Sequence, residues 1–185
     1  KEMMSLKVID QILFAINKFK IKTIDLTGGA PELNDHFEYL IIEAKKLGCH
    51  VIDRCNLTVL LEPGKTHLFD FFKNNKVEII ASLPCYEESN VDAQRGKSVF
   101  KKSIEVLKKL NKSGYGYKRD LAINLVYNPQ GPILPPNQLD LENKYMLANR
   151  WDQAEVNYIK RVLQVGISQF DRAQICDILF KKYSL

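Results

Sequence analysis

The chain has no long apolar run, no block of like charge and no paired-cysteine motif, and each lack removes a class of protein. The longest hydrophobic stretches are a few residues, far short of the roughly 20 needed to span a bilayer. No charged-then-apolar leader opens the sequence at Lys1, so a soluble protein of the cytoplasm or an organelle matrix is expected. The 27 Lys and Arg against 22 Asp and Glu give a net +5 spread over both signs, which argues weakly for nucleic acid. The four cysteines, Cys49, Cys55, Cys85 and Cys176, form neither a CxxC pair nor a disulfide framework. His36, His50 and His67 share no ligand spacing, so no metal site is expected from them. No Ser-His-Asp array, Walker loop or GxGxxG is present.

What is there suffices for a core: 185 residues, 45% hydrophobic and 26% charged, in the range of a folded domain. From Val8 to Phe19 apolar residues recur at Ile9, Ile12, Leu13 and Ile16, the stripe of an amphipathic helix with Ser5 as its cap. Thr23 to Thr27 reads as a strand cut off by Gly28-Gly29-Ala30-Pro31. A second helix, with Asn34 or Asp35 as cap, carries Phe37, Leu40, Ile41, Ala44 and Leu47 inward and stops at Gly48. The alternation continues with a strand over Val51 to Val59, a helix over His67 to Asn75 and a strand over Val77 to Leu83. A helix over Val99 to Leu110 and a strand over Leu121 to Tyr127 follow. Strands alternating with amphipathic helices imply an α/β fold with right-handed crossovers and a parallel sheet. Four strands cannot close a barrel, so the sheet is open or belongs to a larger barrel.

Beyond Pro135-Pro136 the pattern turns helical, with helices over Gln138 to Asn149, Asp152 to Gln164 and Phe170 to Tyr183 and no convincing strand. Two regions are expected: an α/β domain over residues 1–136 and a helical extension over 137–185. The extension resembles a helix-turn-helix faintly, without the dense basic face of a DNA reader. Its apolar residues, Trp151 foremost, suit docking onto the domain or a neighbouring chain.

Ligands of parallel α/β sheets sit at the carboxyl ends of the strands, which directs attention to four segments. Gly28-Gly29-Ala30-Pro31-Glu32 lets backbone groups approach a ligand, such as an amino acid's ammonium and carboxylate, or is a plain strand-to-helix turn. Cys55, beside Asn56, and Cys85, after Ser82, would face one crevice as nucleophiles, soft-metal ligands or a redox pair, or would be buried free thiols. Asn124 stands on the fourth strand. Asn90 to Gly96 reads as a polar loop, a lid or a surface segment with Asp92 paired to Arg95.

Several strings together resemble one family, the radical S-adenosylmethionine proteins of arsenosugar biosynthesis. They are Leu26-Thr27-Gly28-Gly29-Ala30-Pro31-Glu32-Leu33, Val51-Ile52-Asp53-Arg54-Cys55-Asn56-Leu57-Thr58, and Leu61-Glu62-Pro63-Gly64. Ala81-Ser82-Leu83-Pro84-Cys85-Tyr86, Asn90-Val91-Asp92-Ala93-Gln94-Arg95-Gly96 and Asn124-Leu125-Val126-Tyr127-Asn128-Pro129 follow in order. The resemblance implies a partial (β/α) barrel of radical S-adenosylmethionine type. It also implies S-adenosylmethionine and a [4Fe–4S] cluster as cofactors, and adenosyl transfer to a methylated arsenical as the reaction. It places Gly28, Gly29, Ala30 and Pro31 at the methionyl group, Asn56, Ser82 and Asn124 among the cofactor contacts, and Cys55 and Cys85 where thiolates would meet a thiophilic arsenic centre. The CxxxCxxC loop that holds the cluster is expected before Glu2, so the chain as given lacks those ligands and is catalytically incomplete. The alternative expectation is a non-catalytic, degenerate subunit with protein partners in a larger assembly.

Overall fold

A computed structural model describes residues 3–127, 137–148 and 163–165, as an α/β protein with a parallel sheet. The described elements run α1 Leu6–Phe19, β1 Thr23–Leu26, α2 Phe37–Lys46, β2 His50–Asp53, α3 Leu68–Asn74 and β3 Glu78–Ala81. They continue as α4 Glu88–Arg95, α5 Val99–Ser113, β4 Ile123–Tyr127, α6 Gln138–Ala148 and β5 Leu163–Val165. The strands lie in sequence order, β1-β2-β3-β4-β5. Among the described residues no helix is long and apolar enough to cross a membrane.

The chain forms two compact units. The first comprises Lys1–Ser82 and Lys101–Ile123, the second Leu83–Phe100 and Asn124–Leu185.

In the first unit, β1 pairs with β2 in parallel, Thr23 opposite His50 through Leu26 opposite Asp53, and β2 pairs with β3 through Ile52–Glu78 and Asp53–Ile79. The Ile79 N–H donates to the Ala122 carbonyl at 3.0 Å, which ties β3 to the approach of β4. Helix α1 buries Ile9, Leu13 and Ile16, one stripe of the expected face. Phe19 lies outside that stripe and is 69% exposed, because the chain turns at Lys20 in a left-handed conformation before the stripe returns to the core. Helix α2 buries Phe37, Leu40, Ile41 and Ala44, and Phe37 meets Phe72 of α3 edge-on at 6.0 Å. Its end is a Schellman motif: Gly48, at φ 74°, donates to Lys45 O and Cys49 donates to Ala44 O, which satisfies two carbonyls left bare by the helix end. The phenol of the buried Tyr115 donates to Val77 O at 2.8 Å, closing the far side of the core.

In the second unit the buried side chains include Leu83, Val91, Leu125, Leu141 and Tyr145. The Tyr145 hydroxyl donates to Leu83 O at 2.7 Å, joining α6 to the segment after β3. β4 pairs with β5 in parallel, Leu125 opposite Leu163 through Tyr127 opposite Val165.

Three expectations change. The strand expected over Val51 to Val59 ends at Asp53, and Leu57–Leu61 form a 3₁₀ turn that buries Leu57, Val59 and Leu60. The cause is local: the Asn56 N–H is drawn to the Glu32 carboxylate at 2.8 Å and leaves the ladder. The loop expected from Asn90 to Gly96 is helix α4, one face pinned by the buried Val91 and the end set by Gly96 at φ 109°. Leu163 and Gln164, expected to end a helix, lie in strand β5, where backbone pairing to β4 overrides the helical spacing. Trp151 and the helix expected over Phe170 to Tyr183 lie outside the described residues.

Candidate functional site

At the carboxyl end of β1 in the first unit, the chain leaves the sheet through Thr27, Gly28 and Gly29, all exposed. Among the described residues neither glycine makes a hydrogen bond, and a Cβ on Gly28 would meet nothing within 4 Å. The turn is thus open backbone with peptide groups available to a ligand. Ala30 and Pro31 follow, half-buried, and Pro31–Leu33 make a single 3₁₀ turn. Proline at its start fixes φ where no N–H is needed.

That turn delivers Glu32 into the interior, where it is 1% exposed. Its Oε1 accepts the Asn56 N–H at 2.8 Å, and its own carbonyl accepts Lys65 Nζ at 2.7 Å. The Asn56 side chain is held in turn by the Thr58 hydroxyl, which donates to Asn56 Oδ1 at 3.2 Å. Glu32 therefore staples the glycine turn after β1 to the segment after β2. The ladder itself runs one step past the strand ends: Arg54 N–H donates to Leu26 O, Cys55 N–H to Ile80 O, and Ser82 N–H to Cys55 O. Arg54 and Asp25 add a bidentate ion pair between the same strands, with contacts of 2.8 to 3.0 Å.

Beneath the staple lie Asp53 and Cys55, both wholly buried. One ligand-type atom from each of Glu32, Asp53 and Cys55 lies within 4.8 Å of the others. Both oxygens of Asp53 and Oε2 of Glu32 have no hydrogen-bond partner. Burial raises the Glu32 carboxyl above its usual range, against smaller opposing effects of the neighbouring Cys55 thiol, of backbone groups and of the Lys65 charge. Burial also raises Asp53 well above the carboxylate range, reinforced by the like charges of Glu32 and Asp25. The Cys55 thiol is pushed well up by burial, then by Glu32 and Asp53. The three groups share a low-dielectric pocket whose burial favours the protonated form of each. Ligation of a soft centre by Cys55 therefore requires the removal of a proton.

The other sequence-singled thiol, Cys85, belongs to the second unit and is 6% exposed. Asn90 Nδ2 of α4 approaches its Sγ at 3.6 Å. Next to it Tyr86 stacks on Tyr127 at 6.5 Å and 10°, and Tyr145 meets both rings edge-on at 5.6 and 6.4 Å. Lys144 Nζ lies 5.7 Å from the Tyr86 ring centre. Asn124 is half-buried on β4 and engaged within the protein. Ser82 is half-buried at the end of β3. The structure thus links Asn56 to Glu32, directly after Gly28 to Pro31, through a carboxylate bond, and Ser82 to Cys55 through a backbone bond.

Sequence reasoning placed Glu32 only at the end of the glycine segment, with no role of its own, and passed over Asp53 as a site residue. One signal was present for Asp53: in Val51-Ile52-Asp53 it shares the face of Val51, and that face is buried. A carboxylate on the core side of a strand is a costly residue that calls for a reason. No family model matches the chain, and no curated protein matches its sequence.

Proposed function

We propose that the chain is a domain of radical S-adenosylmethionine type, related to the arsenosugar-forming proteins, with a partial barrel as its architecture and an organoarsenical as substrate. The observation that carries this reading is the open, unbonded Gly28-Gly29 turn at the carboxyl end of β1, anchored from below by Glu32. Gly28, Gly29, Ala30 and Pro31 would hold the methionyl ammonium and carboxylate through peptide groups, and the exposed turn leaves them room. Bound S-adenosylmethionine would supply the adenosyl group.

The [4Fe–4S] cluster does not fit the donors at hand. Cys49 is near the His50 carbonyl, Cys55 belongs with two carboxylates and Cys85 with Asn90. Among the described residues the one candidate ligand group holds a single sulfur, whereas such clusters take several cysteines.

The test is equilibrium binding of S-adenosylmethionine to the full chain, read by calorimetry. Saturable binding is expected, weakened at least 10-fold by Gly29→Val, which adds a branched side chain to the open turn. Absence of saturable binding to the folded chain overturns the reading and favours the second one, a non-catalytic subunit of an assembly. One observation favours that alternative independently: Cys55 is wholly buried and held protonated, the state of a packed thiol rather than a reactive one.

A further inference from the structure

We infer that Glu32, Asp53 and Cys55 form a buried site for a divalent cation of the zinc class. The argument starts from an imbalance. Three carboxylate oxygens, Glu32 Oε2 and both of Asp53, are sealed from solvent with no donor. A buried polar atom without a partner costs on the order of 1–3 kcal/mol, more when charged, so a fold that keeps three together normally has an occupant for them. Asp53 is the independent sign of a ligand: it is 0% exposed, its carboxyl oxygens have no hydrogen-bond partner, and it sits within reach of a second carboxylate and a thiol.

The geometry suits one ion. Oxygen and sulfur ligands lie about 2.0–2.3 Å from zinc, so two of them on one ion are separated by at most about 4.5 Å. Tetrahedral angles bring such ligands to about 3.3–3.6 Å; the ligand atoms here fall within 4.8 Å of one another, and rotamer adjustments of up to about an ångström close the difference. The ligand types select the metal. Two hard carboxylate oxygens would suit magnesium or calcium alone, but a thiolate favours a borderline-soft ion, and one sulfur with two oxygens falls in the range of zinc. Three protein ligands leave a fourth position.

Charge balance gives the coupling. The remaining titratable groups that face the cluster are Asp25, paired with Arg54, Lys65 beside Glu32, and the buried Tyr115. None of these brings a cation into the cluster: Arg54 is engaged by Asp25, and Lys65 is bonded to the Glu32 carbonyl. Ligation by Cys55 takes the thiolate, so an entering cation displaces the thiol proton to the buffer and affinity rises with pH.

The experiment uses the full chain, stripped with a chelator and titrated with Zn²⁺, then with Co²⁺ as a spectroscopic substitute. One ion per chain is expected, with release of the thiol proton, read by calorimetry in buffers of different ionisation heat. Cobalt should give a thiolate charge-transfer band that is lost in Cys55→Ser. The same band should persist in a variant with Cys49, Cys85 and Cys176 all changed to Ser, which keeps the argument testable if the Cys55 variant fails to fold. Asp53→Asn should weaken zinc by about 100-fold or more, beyond the 10- to 100-fold typical of outer partners. No saturable binding by the folded wild type, binding without proton release, or a cobalt spectrum free of sulfur would overturn the site. The cluster would then be a buried pair of carboxyl groups beside a packed thiol. S-adenosylmethionine affinity measured in chelator is independent of these results, so either idea can fail without the other.

Discussion

Asp53 sits where a strand normally places valine or isoleucine, and the consequence is a stability that depends on pH. Its folded-state pKa is well above 3.8, chiefly through burial, then through Glu32 and Asp25. The folded chain therefore holds the Asp53 proton more tightly than the unfolded chain does. The sign follows: the full contribution is present below about pH 3.8, the unfolded value, and is lost as pH rises through the raised folded value. Glu32 and Cys55 shift in the same direction for the same first cause, burial. In chelator, thermal stability should thus decline as pH rises above the ordinary carboxylate range. Asp53→Asn removes one ionisation, and its amide offers Glu32 Oε2 a donor. We expect a flatter profile and a gain of about 1 kcal/mol at neutral pH, read from melting curves. An unaltered slope would show that Asp53 titrates alike in the folded and unfolded chains.

At the scale of elements, the helix ends are where local chemistry is most visible, and Asp92 shows how much can hang on one side chain. From α4 its Oδ2 accepts the Ser98 N–H at 2.6 Å and its Oδ1 the Phe100 N–H at 3.0 Å, so it serves as a borrowed N-cap for α5. It also lets Ser98 hold a left-handed φ of 67° at the junction. Asp92→Ala should cost about 1–2 kcal/mol, the loss of a strong cap, measured by denaturant unfolding; a loss below 0.3 kcal/mol (about a tenth of a typical m-value per molar) would refute the capping role. Sequence pattern predicts Asp92 as a lid or surface residue, because a cap seven residues upstream of the helix leaves no local signature. Helices α1 and α2 are legible because stripe and punctuation agree: Ile9, Leu13 and Ile16 on one face, and Gly48 at the Schellman position. The end of β2 is not legible, since Leu57-Thr58-Val59-Leu60-Leu61 has the composition of a strand and only the Glu32 bond to Asn56 turns it aside. Likewise the glycine turn can be read from Gly28-Gly29-Ala30-Pro31 alone. The carboxylate cluster cannot, because Glu32 and Asp53 are 21 positions apart (53 − 32) and meet only once β1 and β2 are in register.

For the whole molecule, the division into two compact units decides how binding should register in stability. The glycine turn and the Glu32, Asp53 and Cys55 cluster belong to the first unit, while the Tyr86, Tyr127 and Tyr145 cluster and Cys85 belong to the second. A ligand that binds only the folded form stabilises whatever must unfold to release it, by about 2.7 kcal/mol at 100 times its dissociation constant. If the units open separately, that gain is confined to the unit that holds the site; if they open as one, it spreads over the chain. Zinc is linked to Glu32, Asp53 and Cys55, on two segments joined by the bond from Asn56 to Glu32. Backbone hydrogen exchange should therefore slow at Arg54 and Asn56, whose N–H groups flank the cluster and are bonded to Leu26 and Glu32. Leu141, bonded through its N–H to Asn137 O in the second unit, should keep its rate. The separate opening of the units is the expected outcome, because the carboxylate bonds that zinc reinforces all lie within the first. Equal slowing at Leu141 and Asn56 would instead show a single cooperative unfolding, with the two units sharing one stability.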